Sequence, residues 1–207
     1  MIDRCLPWFN YSGAMARKVG LERDDVITAA LAVLDEAGPA HLTLRAVADR
    51  LGVRAPSLYS HVDGIDGLRR LLAVTVTRQF GEALGRSVMG RSGDDALEAF
   101  ARTYRRWALD HPGRYELTLL PLTEPAERRA AGRAAYDALN AVLAGYGLTG
   151  TDAARAGRAL RAALHGFASL EAADNLGRDS HDASFEHLVR LLVDGIRTAS
   201  ATTSGSA

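Results

Sequence analysis

The sequence predicts an all-α protein in two parts, an N-terminal three-helix unit of helix-turn-helix type followed by a larger C-terminal helical bundle. Three observations carry this. Alanine, leucine and arginine, all strong helix formers, dominate a chain of 207 residues that is 47% hydrophobic but only 6% aromatic. Apolar residues recur at three- and four-residue spacing along most of the chain, and no stretch shows the strict alternation of a strand. Glycine and proline fall at a few points that divide this pattern into segments of helical length.

Residues 1–21 show no clear period and read as an arm, within which Met15 opens "MARKVGLERDDV" and would serve as a start. From Glu22 to Ala37, Val26, Ile27, Ala30, Leu31 and Leu34 recur at helical spacing, and Asp24 and Asp25 favour the positive end of the helix dipole. Gly38 and Pro39 stop this helix. Thr43 suits the N-cap of a short helix over 44–51, whose inner face is Leu44, Val47, Ala48 and Leu51, and Gly52 ends it. Pro56, tolerated in a first turn, opens a third helix of about two turns that buries Leu58 and Val62. A fourth, longer helix starts at Gly64–Gly67 and carries Leu68, Leu71, Leu72, Thr75, Phe80 and Leu84, so the first unit spans 22–84. Near Gly85–Gly93 the pattern fades into a linker.

The second unit, over 94–199, reads as helices at 94–110, 113–121, 124–146, 151–176 and 181–199. "HPG", Pro121, "GYG" and "NLGRDS" separate them. The polar stretch 200–207 reads as a frayed tail.

Bulk charge gives no argument for nucleic acid: 25 basic residues balance 25 acidic ones, and residues 1–70 hold nine of each. The argument lies in position instead. Over 43–62, Ala48 lets two helices cross closely, Gly52 makes the turn between them, and Leu58 locks the second onto the first. That spacing is a helix-turn-helix, whose second helix would project Ser57, Tyr59, Ser60 and His61 into a DNA major groove. Arg45 and Arg54 are placed to meet phosphates, which set register while base edges set sequence preference.

From Arg23 to Leu72 the chain resembles the DNA-binding domain of the TetR family of bacterial transcriptional regulators, on "AALAVLDEAG", "LTLRAVADRLGV" and "PSLYSHV". The resemblance implies a homodimer that binds a double-stranded, pseudo-palindromic DNA operator and is released, as a repressor, by a small-molecule effector, with no cofactor. It places Thr43 and Arg45 at the backbone-contacting start of the second helix. Arg54, Ala55, Ser57 and Leu58 fall on the leading part of the recognition helix, with Tyr59 and His61 against phosphates. Arg17, Lys18 and Arg23 form either a basic arm or a solvated helix start. Two positions depart from the family pattern, because Val62 follows "Y-x-H" where an aromatic is usual and Ile65 replaces a phosphate-binding lysine. Arg69 and Arg70 are candidates to compensate. Trp107, His165 and Gly166 further resemble the Trp-His-Gly (WHG) TetR subgroup.

Tyr104, Trp107, Tyr115, Tyr136, His165 and Phe167 form an amphipathic set able to line an effector pocket, although each alone also suits a core. Leu160, Leu164 and Phe167 on one of the last two helices, and Phe185, Leu188, Leu192 and Ile196 on the other, make the apolar stripes assigned to a dimer face. Gly166 allows close helix approach there.

Other classes find little support. No nucleophile elbow, phosphate loop or carboxylate pair marks an enzyme. His111, His165, His181 and His187 lack the helical pairing of a metal ligand set, so no metal is expected. Cys5 is the sole cysteine, and no apolar run is long enough to span a bilayer, which leads to the expectation of a cytoplasmic protein without membrane contact. The competing reading is a dimeric helical interaction or ligand-binding module with weak or lost DNA recognition.

Overall fold

The computed structural model describes residues 20–120, 125–177 and 181–204. Among these there are helices and turns and no strand. The eight α-helices are α1 (Arg23–Ala37), α2 (Leu44–Leu51), α3 (Gly64–Val88), α4 (Gly93–Asp110), α5 (Pro112–Thr118), α6 (Pro125–Ala144), α7 (Gly150–Ala172) and α8 (His181–Ser204). Short 3-10 segments occupy Pro39–His41 and Ala55–Ser60. The arm residues Arg17 and Lys18 lie outside the described residues.

Local chemistry explains the first boundaries. Asp25 accepts a hydrogen bond from the Glu22 backbone nitrogen at 2.8 Å, satisfying a donor that the start of α1 leaves free. Thr43 caps α2, its hydroxyl accepting from the Ala46 nitrogen at 3.1 Å. Gly52 ends α2 at φ 67°, ψ 27°, a left-handed conformation that costs a residue with a Cβ about 1 kcal/mol or more. The expected third helix is a 3-10 segment, because Pro56 removes a donor from its first turn and the run is too short to recover an α-helical ladder.

Apolar side chains gather in two cores. In the N-terminal one, Val26 and Leu34 of α1, Val47 of α2, Leu58, and Leu68, Leu72 and Val76 of α3 meet Leu117 of α5 and Ala131 of α6. The C-terminal one joins Phe80 and Leu84 of α3 with Phe100 and Tyr104 of α4, Leu143 of α6, Leu164 of α7 and Phe185 of α8. Helix α3 runs through both, and the partly buried Trp107 packs against both. The linker expected at Gly85–Gly93 is correspondingly short: α3 stays helical to Val88 and only residues 89–92 separate it from α4. The sequence pattern fades there because Ser87, Val88 and Gly85 are only half-buried, which weakens periodicity without ending the helix.

The C-terminal tail also differs from expectation. α8 continues to Ser204, and Ser200 donates a hydrogen bond to the Tyr146 carbonyl at the end of α6. Tight crossings fix α6 against its neighbours: a Cβ at Gly81 would stand 2.7 Å from the Ala135 backbone nitrogen, and one at Gly157 would stand 3.0 Å from Leu139.

Candidate DNA interface and ligand cavity

The helix-turn-helix presents a mixed polar surface. Thr43, Arg45, Arg54, Ser57 and Tyr59 are exposed, Tyr59 to 63%, and His61 is half-buried. Arg45 lies 3.7 Å from Asp49 in an exposed pair worth little, so its guanidinium is available to a phosphate. Arg54 makes no ion pair with any described residue. Arg23 at the start of α1 shares one groove with Tyr59 and His61, bringing a cation from outside the motif to its outer end.

Leu58 corrects one expectation. It is fully buried in the N-terminal core, so its side chain holds the 3-10 segment in place and cannot touch a base. Ala55 is half-buried and also packs on that core. Ile65 packs there too, so the position of the usual lysine presents apolar surface to its own core. Of the two neighbouring arginines, only Arg69, in a weak exposed pair, is free to substitute. Arg70 is held by Glu127 of α6 at 2.9 Å, and Arg69 leans toward Asp66 at 3.9 Å.

Between the bundle helices lies a cavity of about 290 Å³. α3 contributes Thr77, Phe80 and Leu84, α4 Phe100 and Tyr104, α6 Tyr136 and Leu139, and α7 Arg161. Phe80 is central, its ring centroid 5.0 Å from that of Tyr104 and 4.7 Å from that of Trp107. Behind the cavity wall runs a hydrogen-bonded chain: the Tyr104 and Tyr115 hydroxyls are 2.8 Å apart, and Tyr115 reaches His165 Nδ1 at 2.7 Å. Ser169 Oγ lies 3.3 Å from the same nitrogen. Burial pushes the Tyr104 phenol up, partly opposed by the hydrogen bond from Tyr115 and the charge of Arg161. Tyr115 is pushed further, first by burial and then by Tyr104. Both phenols stay neutral wherever the protein is folded near neutral pH.

Of the expected pocket residues, Tyr104 and Tyr136 line this cavity, while Tyr115 and His165 form the polar chain behind it. Trp107 packs between the two cores and does not line the cavity. Phe167 points elsewhere, meeting Phe185 edge to face at 5.2 Å beneath the Arg105 guanidinium. Thr77, Phe80, Leu84, Leu139 and Arg161 were not legible as wall residues, because only packing α3 against α6 and α7 forms the pocket.

The apolar stripes of α7 and α8 also divide differently. Leu160, Leu164, Phe185 and Ile196 are at most 7% exposed and pack in the chain's own core, with Leu160 and Ile196 also at the floor of the groove between α7 and α8. Phe167, Leu188 and Leu192 are half-buried, and the exposed side carries Leu170 and Leu191 at 46% and 57%. Ala156, Ala159, Leu191, Leu192 and Gly195 line a shallow groove between the two helices, and nothing lies within 4 Å of a Cβ built at Gly166. Among the described residues no helix is long and apolar enough to cross a membrane, and no cluster of three His, Cys, Asp or Glu could hold a metal ion.

Comparison with known proteins agrees with this arrangement. Residues 26–70 match the family "Bacterial regulatory proteins, tetR family", and residues 97–192 match "Tetracyclin repressor-like, C-terminal domain". The HTH-type transcriptional regulator Rv0681 of Mycobacterium tuberculosis is 39% identical over 185 residues, covering 88% of this chain and 85% of its own. YobS of Bacillus subtilis, also an HTH-type transcriptional regulator, is 29% identical over 89% of this chain and 93% of its own. The solved structure of a Rhodococcus sp. RHA1 protein shares the fold at a TM-score of 0.73, with 23% identity over 87% of this chain and 98% of that one. With the helix-turn-helix in one core, the apolar cavity beside the other and a 39% identical regulator matched over most of its length, the chain belongs to the tetR family of bacterial transcriptional regulators.

Proposed function

We propose that this regulator is a repressor that binds a pseudo-palindromic operator as a homodimer and is released when a small molecule occupies the cavity. One observation carries the proposal: α3 holds Leu68 and Leu72 in the core under the helix-turn-helix and Thr77, Phe80 and Leu84 in the cavity wall. A ligand that changes the lie of α3 therefore changes where the reading surface sits. Only its differential affinity for the two arrangements counts, and about 1–3 kcal/mol of coupling weakens operator binding some 5- to 150-fold.

In this reading Arg45 and Thr43 anchor the start of α2 on the phosphate backbone, Arg54 and Tyr59 grip phosphates around the 3-10 segment, and Ser57 reaches base edges. His61 and Arg23 extend the contact along the groove they share with Tyr59. The exposed sides of α7 and α8, with Gly166 open to close approach, supply the dimer face, and the dimer sets the two reading surfaces about one DNA turn apart. Trp107, His165 and Gly166 keep the WHG subgroup as a proposal for the C-terminal unit, supported by His165 anchoring the Tyr104–Tyr115 chain.

Selection of bound duplexes from a random pool, followed by fluorescence anisotropy on the winner, tests this. An inverted repeat bound by a dimer is expected, with binding weakened in Arg54→Ala while the dimer persists. Enrichment of no sequence would favour the second reading, a helical ligand-binding module without DNA recognition. That reading draws on Ile65 in place of a cation and on the pairing of Arg70 with Glu127.

A further inference from the structure

The cavity states what kind of molecule it takes. Its lining is apolar and aromatic apart from hydroxyls and a single charged side chain, Arg161 of α7. Arg105 and Arg114, which are half-buried where Arg161 is exposed, are each gripped by a carboxylate, Glu171 and Asp35 respectively. Arg161 has no carboxylate partner among the described residues, and neither Asp nor Glu lines the cavity. Arg161 is exposed, as Arg54 is, but unlike Arg54 it borders an apolar pocket. Its charge acts on the phenols of both Tyr104 and Tyr115, which places it on the polar side of the cavity.

Resting on the reading of this cavity as the effector site, we propose that the effector is a compact organic acid, an apolar body of one to two rings' bulk bearing one carboxylate that pairs with Arg161. Charge favours the class: a cationic ligand would meet Arg161 with no acid in the lining to offset it, and a neutral one would leave the guanidinium only its approach to the Tyr104 hydroxyl and solvent. A guanidinium presents a planar fork matched to a carboxylate, and a charge-assisted pair at an apolar site is stronger than a neutral hydrogen bond. Volume fixes the size, since the cavity of about 290 Å³ is roughly twice the ~150 Å³ apolar cavity that accepts a benzene ring. The Tyr104 hydroxyl, already bonded to Tyr115, offers a second polar contact beside the carboxylate.

The test is calorimetric titration of the full-length protein with three probes of one shape: 2-naphthoate, 2-naphthalenemethanol and 2-naphthylmethylammonium. Naphthoate is expected to bind at least about tenfold more tightly than the alcohol, equivalent to about 1.4 kcal/mol, and the ammonium to bind weakest. Arg161→Gln should erase the preference for the acid while leaving the alcohol's affinity unchanged, which also shows that the variant is folded. Arg161→Lys should restore part of it. Binding of the alcohol or the ammonium as tight as that of naphthoate, survival of the preference in Arg161→Gln, or failure of all three probes to bind would overturn the proposal. The location is tested separately with Gly132→Phe, whose side chain enters open space at the cavity wall. Naphthoate binding that is strong in the native protein and unchanged by this plug would refute the cavity as the site, and with it the proposal.

Discussion

Gly81 and Gly85 lie one turn apart on α3, yet the structure assigns opposite signs to their replacement by alanine. A Cβ at Gly81 would sit 2.7 Å from the Ala135 nitrogen and 3.2 and 3.3 Å from the Ala134 and Ala135 β-carbons, whereas one at Gly85 meets nothing within 4 Å. The obstacle at 81 is backbone, so the whole of α6 must move. Alanine gains about 0.8–1 kcal/mol over glycine in a helix interior at either site. At Gly81 overpacking opposes this by about 1–3 kcal/mol. The difference between the two variants cancels the helix term and isolates the crossing of α3 with α6. For a chain of this length each kcal/mol shifts the melting temperature by about 2–4 °C, so Gly85→Ala should melt about 2–4 °C above the parent and Gly81→Ala about 2–12 °C below Gly85→Ala. Scanning calorimetry at matched protein concentration reads both. Equal melting temperatures, or Gly81→Ala the higher, would refute the claim that close backbone contact fixes α6.

Further outcomes follow from the same structure. Leu58→Ala empties a fully buried site and should cost about 2–5 kcal/mol, detected as a lowered urea midpoint, whereas Arg54→Ala should leave that midpoint unchanged and reduce the salt slope of operator binding by about 0.9. Burial raises the phenol pKa of Tyr104, Tyr115 and Tyr146 above the ordinary value near 10. Their contribution to stability is therefore complete below about pH 10 and is lost as pH rises beyond it, because the unfolded chain gives up protons first. Each phenol steepens the loss by up to about 1.4 kcal/mol per pH unit, and denaturation from pH 8 to 11.5 should show a shallower fall in Tyr115→Phe. Asp35→Asn breaks the pairing with Arg114 and should shrink the ratio of operator affinities with and without effector while leaving effector affinity in the absence of DNA nearly unchanged; an unaltered ratio in anisotropy titrations would show that the pair carries no coupling.

What could be read in advance, and what could not, divides along physical lines. The helix-turn-helix was legible because local rules set it: Thr43 caps, Gly52 takes the left-handed turn, and Leu58 anchors. Leu58 was nonetheless also placed among DNA contacts by family position, and burial decides between the two roles. The stripes of α7 and α8 were legible as apolar but not as facing inward, since a single helix pattern cannot say whether its apolar side meets its own chain or a copy. Arg161 was invisible for a related reason. An arginine within an alanine-rich helix looks like any solvated residue, and Arg161 is exposed; only the packing of α3, α4 and α6 sets an apolar pocket beside it.

The seven residues of α5 explain how so small a cavity could reach the DNA-binding end. Tyr115 is bonded to Tyr104 of the cavity wall, while its neighbour Arg114 donates to both carboxylate oxygens of Asp35 on α1 and also reaches Gln79 on α3. Gly113 lies so close to α1 that a Cβ there would be 3.0 Å from the Leu34 carbonyl oxygen, and Leu117 is buried in the core beneath the helix-turn-helix. Successive residues of one short helix are thus fixed alternately to the two cores. A ligand that displaces Tyr104 must either break its hydrogen bond to Tyr115, at about 0.5–1.5 kcal/mol, or carry α5 with it. Carrying α5 moves Arg114, and Arg114 moves α1. α6 forms a second connection, lining the cavity with Tyr136 and Leu139 while Glu127 near its start holds Arg70 at 2.9 Å. Two connections, through α5 and through α6, favour a tilt of the whole N-terminal unit over local distortion, because close-packed interiors shift between discrete arrangements more readily than they deform.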